Sequence, residues 1–326
     1  MVKSPAFDGL LVEHTRFQKA AAELTQSIRL ARASGGGIIP LLGPTRCGKT
    51  DLIENVCEVL GEDIQGPSCL LQNSTFAKAS IPPKPNDQDL YRAMLAALGF
   101  RHSKTEKVDG LRDRVFTTIA DQGRQVVVLD ECSHCAESGA NLSARAATDH
   151  FKTIVDSTGV VLVLAGLPKF QNLIDGNEQF RDRAMRTVEL HPYQWSDADD
   201  REGFLGAIFP LIEAVCESGH KLLLDESNLA RRLYGASGGR VGRVVEYLSH
   251  VMVMHEKKHE LSLEDFAGVG RRTLQRQINL PDMFDAKAPT DGELERSYVG
   301  VMQDAGLPVR AASIHTFGAQ NVAAVK

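Results

Sequence analysis

Apolar residues along this chain recur with two alternating periods. From His14 to Ala33, Phe17, Ala21, Leu24 and Ile28 fall at helical spacing and predict an amphipathic helix that Ser34-Gly35-Gly36-Gly37 ends. The short run IIPLLG reads as a buried strand. GPTRCGKTDLIENVCEVLG then turns into a helix with Leu52, Ile53, Val56 and Val59 facing inward. A second strand is expected over 68–75. After the Pro-rich SIPPKPND, helices are expected over 87–98 and 108–120, and QVVVLDE is an apolar strand ending in two acids. A helix over 142–155, the strand GVVLVLAG and a fifth strand in TVELHPY continue the alternation. Strands apolar on both faces and separated by helices predict an α/β fold with a parallel five-stranded sheet between helix layers.

Beyond Trp195 only the helical period remains. Phe204, Ile208, Leu211 and Val215, then Leu229 to Tyr234, then Val241 to Met254, predict a small all-helical domain. From Pro281 onward Gly, Pro, Ala and Asp interrupt every pattern. The expected division is an amino-terminal helical segment over 1–34, an α/β domain over 35–195, a helical domain over 196–280, and a flexible or partner-binding tail over 281–326. Trp195 is expected as a core anchor between the two domains, and Tyr298, Val299 and Val301 as a docking peptide within the tail.

Composition narrows the class. With 326 residues, 43% hydrophobic and 24% charged, the chain is neither generally disordered nor fibrous. Its 37 Lys and Arg against 42 Asp and Glu give a net charge of −5, which excludes a uniformly basic nucleic-acid binder but leaves a local basic stripe open. No run approaches the roughly 18 apolar residues of a membrane helix, and no leader pattern opens the chain, so a cytoplasmic protein with no membrane partner is expected. Six cysteines are too few for a disulfide scaffold of this length.

Four segments carry candidate chemistry. Gly43-Pro44-Thr45-Arg46-Cys47-Gly48-Lys49-Thr50 fits the phosphate-loop pattern: backbone N–H groups close around phosphate oxygens, Lys49 reaches the β and γ phosphates, and Thr50 offers a hydroxyl to Mg²⁺. At the end of VVVLDE, Asp130 can hold Mg²⁺ through water and Glu131 can polarise an attacking water, which makes ATP hydrolysis the leading reaction. In NEQFRDRAMR, Arg181, Arg183 and Arg186 can be offered to a neighbouring subunit's γ-phosphate. In GASGGRVGRVVEYL, Arg240 or Arg243 can reach back to nucleotide in cis. Cys132-Ser133-His134-Cys135 invites a zinc reading, but four ligands are needed and no second pair of matching spacing exists, so buried or passive thiols are expected.

Together these segments resemble the AAA+ ATPases. Within that group, HTRFQKAAAELTQSIRLARASGGGIIPLLGPTRCGKTDLIENV, VVLVLAGLPKF, FRDRAMRTVELHPY and SGGRVGRVVEYLSHVMV are similar to the TniB/TnsC-type transposition ATPases, over about residues 10–280. The resemblance implies a P-loop AAA+ domain with a helical lid, binding ATP and Mg²⁺. It implies a homo-oligomer, ring or helical filament, that assembles on double-stranded DNA, responds to a target-selection protein and activates a transposase. It also implies DNA-backbone contacts from the segment between the second and third strands, with Lys78, Lys84, Arg101, Lys104 and Lys107 as candidates, and Arg271 to Arg276 form a second basic patch. One departure stands out: relatives carry a polar residue after the glycine at the end of the fourth strand, whereas Gly166 is followed here by Leu167 and Pro168. The expected consequence is either slow hydrolysis or transfer of the polar role to another residue. The rival readings are an AAA+ initiator, helicase loader or secretion-associated ATPase, and a switch or scaffold that holds ATP without turnover.

Overall fold

A computed structural model describes Phe7 and residues 12–61, 64–65, 75–101, 105–137, 141–274 and 281–307. The chain divides into two compact units. One comprises Phe17–Gly43 and Lys49–Leu190; the described residues of the other lie within Met1–Arg16, Pro44–Gly48 and His191–Lys326.

The first unit is the α/β layer structure. It carries most of α1 (Thr15–Ala33), then β1 (Gly37–Leu42), α2 (Lys49–Val59), β2 (Ile64–Gln65), β3 (Phe76–Ser80), α3 (Asp87–Ala97), α4 (Val108–Asp121), β4 (Val126–Asp130), α5 (Ala144–Thr158), β5 (Val161–Gly166), α6 (Gln171–Asp175), α7 (Glu178–Arg181) and β6 (Val188–Glu189). The strands form one parallel sheet in the order β2-β3-β4-β5-β1-β6. The expected strands are joined by the two-residue β2 at one edge. The strand expected over 68–75 lies outside the described residues except for Thr75, and β3 begins immediately after it.

Both faces of the sheet are covered, which is why its strands read as unbroken apolar runs. Ile38 and Leu42 of β1, Val127 and Leu129 of β4, and Leu162 and Leu164 of β5 share one core with Leu90 and Met94 of α3, Val115 of α4 and Phe151 of α5. The alternate residues Ile39, Leu41, Val126, Val128, Val161 and Val163 are equally buried. In α2 the buried stripe is Leu52, Ile53, Val56 and Cys57. Val59 is 59% exposed rather than inward, because it sits at the margin of that stripe in the last turn.

The second unit contains α8 (Ala198–Glu217), β7 (Lys221–Leu222), α9 (Glu226–Ser237), α10 (Val241–Met254), β8 (Glu260–Leu261), α11 (Leu263–Thr273) and α12 (Asp291–Asp304). Apart from the short parallel pair β7–β8 it is helical, as the periodicity predicts. Asp197, Asp225 and Thr290 each accept a backbone N–H at a helix start, so the turns before α8, α9 and α12 set where those helices begin. Phe204, Ile208, Leu233, Val244, Leu248 and Phe266 form its core, together with Phe7 from the amino-terminal stretch.

Helix α12 corrects the expectation of a tail from residue 281. Leu294, Tyr298, Val301 and Met302 are buried, and Thr290 with Glu293 makes a reciprocal capping box. Tyr298 and Val301 are therefore core residues rather than a docking peptide, and Val299 packs against the same core. Residues 308–326 lie outside the described residues. Trp195 donates its Nε1 hydrogen to Asp291 Oδ1 at 2.9 Å and lies 4.8 Å from the Tyr234 ring, both contacts being within this unit. Among the described residues, no helix is long and apolar enough to cross a membrane.

Leu294 is fully buried against this core. Leu294→Ala is expected to lower unfolding free energy by about 2–5 kcal/mol, read from urea denaturation, because a filled apolar site becomes a cavity. A loss below about 0.5 kcal/mol, the scale of a surface substitution, would show that α12 is peripheral.

Candidate phosphate-binding site

The register of the parallel sheet assembles the first part of the site. Ser80 stands opposite Asp130, Leu129 opposite Leu164, and Leu42 opposite Gly166, so the carboxyl ends of β3, β4, β5 and β1 share one edge. Ligands of open parallel sheets bind at such an edge. β4 and β1 are separated by β5, which places their ends about 10 Å apart.

Gly43 leaves β1 at this edge. Its N–H donates to the Gly166 carbonyl at 3.1 Å, and a Cβ on it would stand 2.5 Å from the Leu190 carbonyl oxygen, so only glycine fits. Lys49 opens α2 and donates from Nζ to the Gly43 carbonyl at 2.8 Å, which holds the ammonium at the end of β1. Thr50, next on the helix, is exposed. The first turn of α2 adds N–H groups and the positive end of the helix dipole.

At the end of β4, Asp130 accepts the Glu131 N–H at 2.9 Å through Oδ1. Glu131 has φ 59°, a left-handed conformation that costs a non-glycine residue about 1 kcal/mol, and its side chain is exposed. The turn that follows is tied to the turn after β5: the Ser133 hydroxyl accepts the Leu167 N–H, and Lys169 Nζ lies 3.0 Å from Glu137 Oε1. Ser133 is a polar residue that sequence reading passed over. Its partner is 34 residues away, and the only local sign was the apolar Leu167 itself.

In the second unit, Pro44 and Cys47 are buried, and Arg46 (φ 65°) and Gly48 (φ 93°) take left-handed conformations. The first turn of α10 lies directly on this stretch. A Cβ on Gly242 would be 2.6 Å from the Arg46 carbonyl oxygen, and Arg240 donates to the Thr45 carbonyl at 3.3 Å and the Ser237 carbonyl at 2.7 Å. Burial lowers the pKa of Arg240 from its usual value. Arg243 pairs with Glu246 and donates to the Thr273 carbonyl at 3.4 Å. Of the two arginines expected near nucleotide, Arg240 therefore braces the loop backbone, and Arg243 is held by a carboxylate.

The amino-terminal residues of this unit form a polar cluster. His14 Nδ1 lies 2.8 Å from the Tyr193 hydroxyl, and Arg16 pairs with Asp200 at 2.5 Å, donates to the Pro192 carbonyl and lies over the Tyr193 ring. Burial, with the Arg16 charge beside it, lowers the His14 pKa to about 4.

The arginines before β6 are elsewhere. Arg183 pairs through Nε with Asp156 at 2.9 Å, an ion pair that raises its pKa, and Arg181 donates to the Asp175 carbonyl at 3.2 Å. Arg186 is exposed, with no side-chain partner among the described residues. The Arg183 carbonyl accepts the Ile38 N–H at the start of β1, about 16 Å along that strand from Gly43. Arg181 and Arg183 thus flank the opposite end of β1 from the loop of their own chain.

The basic candidates separate as well. Lys78 is not in a loop: it belongs to β3, and its ammonium lies 3.9 Å from Glu54 Oε1. Lys84, Arg101 and Lys107 are exposed on the connections flanking α3 and α4, and Lys104 lies outside the described residues. Arg271 pairs with Glu264, and Arg276 also lies outside the described residues. Cys132 donates its thiol to the Leu129 carbonyl at 3.0 Å, and burial pushes the Cys135 thiol up to about 12.

The model of the family described as Bacterial TniB protein matches residues 8–195. Three solved structures share the architecture. The ORC1 protein of Aeropyrum pernix in complex with DNA is 15% identical, over 95% of this chain and 82% of that one, with a TM-score of 0.57. The ORC2 protein of Aeropyrum pernix (ADPNP-ADP complexes) is 13% identical, over 91% and 83%, at 0.54. Drosophila ORC bound to DNA is 11% identical, over 94% and 78%, at 0.50. At these identities the likeness shows the fold, an AAA+ α/β domain followed by a helical region. No curated protein matches the chain.

The His14 cluster generates a pH test. The unfolded chain takes a proton on His14 below about pH 6.5, whereas the folded chain takes it only near pH 4. The His14 contribution is therefore complete above pH 6.5 and declines as pH falls toward 4. Urea midpoints at pH 7 and pH 5 should differ less in His14→Gln than in the wild type; an unchanged difference contradicts a neutral, buried His14.

Proposed function

The chain belongs to the bacterial TniB family, and from that membership we propose that it is an ATP-dependent regulator of transposition that oligomerises on double-stranded DNA and recruits and activates a transposase. The observation that carries the ATP reading is the glycine-only cradle at Gly43, with Lys49 held over it, on the sheet edge that also ends in Asp130 and Glu131. In this reading Gly43 to Thr50 enclose the phosphates with backbone N–H groups, and Lys49 exchanges the Gly43 carbonyl for phosphate oxygen. Thr50, by its hydroxyl, and Asp130, through water, would hold Mg²⁺, which would neutralise phosphate charge. Glu131 orients a water and takes its proton. Arg240 steadies the loop, while Arg243 pairs with phosphate. Arg181, Arg183 or Arg186 completes a neighbouring subunit's site, which favours a homo-oligomer, ring or filament.

Leu167 supports slow turnover. Where a polar side chain would orient the water, this chain has an apolar one whose N–H is held by Ser133. The ATP-bound assembly is then the signal and hydrolysis its slow release, in the cytoplasm. Lys84, Arg101, Lys104 and Lys107 are the proposed DNA-backbone contacts. Each is weak alone, so binding is strongly salt-dependent and gains strength from repetition along the oligomer. A target-selection protein directs where assembly begins. The fold likeness to ORC proteins favours a second reading, an initiator or helicase loader.

Electron microscopy of purified protein with duplex DNA is expected to show regular assemblies with ATP and none without nucleotide. Lys49→Ala should abolish assembly. Glu131→Gln should keep ATP-dependent assembly while lowering phosphate release at least about 100-fold. Absence of ATP-dependent assembly on DNA would refute the regulator reading, and undiminished turnover in Glu131→Gln would remove Glu131 from the reaction. Stimulation of a transposase, rather than of helicase loading, separates the two readings.

A further inference from the structure

The second unit contains a carboxylate bridge that the proposed reaction leaves unused. Glu246, on α10, lies 3.1 Å through Oε1 from Nη2 of Arg46 in the phosphate loop, and through Oε2 it pairs with Arg243 one turn back on its own helix. The Glu246 side chain is only 10% exposed. A carboxylate so enclosed needs its charge answered, and two guanidinium groups answer it. The surrounding backbone allows little play: Gly242 rests on the Arg46 carbonyl, Arg240 holds the Thr45 carbonyl, and Arg46 is fixed in a left-handed conformation.

For a loop that receives polyanions this placement is unfavourable. Glu246 puts a negative charge beside the loop and occupies two cations of the kind that phosphate recruits. We propose that Glu246 sets the nucleotide affinity of the loop, by holding Arg46 and Arg243 in a bridge with which the phosphate chain must compete. The inference rests on the nucleotide-binding reading above. Carboxylate and phosphate both match the guanidinium fork, so the exchange replaces one set of charge-assisted hydrogen bonds with another of the same kind. The Glu246 charge repels the more highly charged triphosphate chain more than a diphosphate, so its removal strengthens triphosphate binding more. Glu246 is thereby an affinity-determining residue that keeps binding moderate and reversible.

Calorimetric titration of the full chain with ATP and with ADP tests this. Glu246→Gln keeps the shape and removes the charge; ATP binding should tighten about three- to tenfold, ADP binding by less, and both gains should shrink as salt rises. Arg46→Gln, at an exposed side chain, removes one cation from the bridge and should weaken ATP binding by a similar factor. Opposite signs in the two variants are the signature of charge competition, whereas a carboxylate that merely braces the fold would give weaker binding in both. Glu246→Gln that binds ATP no more tightly than wild type overturns the inference, as does Arg46→Gln without effect. Wild-type protein that binds neither nucleotide overturns the inference together with the nucleotide-binding function.

Discussion

At Gly43 the chain leaves β1 through a gap that admits no side chain. The Leu190 carbonyl would stand 2.5 Å from a Cβ, and the Gly43 N–H is already committed to Gly166. β1 lies between β5 and β6, and Leu190 in turn donates to the Leu42 carbonyl at 2.9 Å, so the end of β1 is hydrogen-bonded on both sides. The loop therefore starts from a fixed point. Asp130 is placed by the same ladder, since parallel pairing of β3, β4, β5 and β1 sets which strand ends share an edge. Burial of both sheet faces is what holds that ladder rigid.

A second set of close approaches governs the start of α10. Gly239 has φ 80°, and a Cβ there would be 2.1 Å from the Tyr193 carbonyl oxygen; Gly242 is pressed against the Arg46 carbonyl in the same way. These contacts determine what the nearby arginines can do. Arg240 is spent on backbone carbonyls, and Arg243 on Glu246. Arg240 and Arg243, three positions apart, thus have different work: one braces the loop backbone, the other is paired with a carboxylate on its own helix.

The structure also distributes the proposed chemistry unevenly. Asp130 and Glu131 lie at the carboxyl edge of the sheet, while Arg181 and Arg183 flank the opposite end of β1. In the proposed function an arginine from that end would serve a phosphate on another copy of the chain, which would make oligomerisation part of that reaction rather than an accessory to it. The net charge of −5 fits the same logic. The DNA contacts proposed for a few exposed side chains near α3 and α4 would gain strength by repetition along an assembly, not from any single subunit.

What the sequence determined by itself was everything written in contiguous or strictly periodic residues. The phosphate-loop pattern, the acidic pair at the end of β4, the apolar strands and the helices after Trp195 are local patterns, and local patterns survive without knowledge of the fold. α12 was equally local, through the Thr290-x-x-Glu293 box and Leu294, Tyr298, Val301 and Met302, but its flanking Pro, Gly and Ala obscured it. Only tertiary structure decided the rest. Lys78 became a strand residue beside Glu54, Val59 turned outward, Ser133 met Leu167, and Glu246 closed on Arg46. The long-range contacts among these join residues tens to hundreds of positions apart, and their partners are set by strand order and helix placement, which no single stretch of sequence encodes.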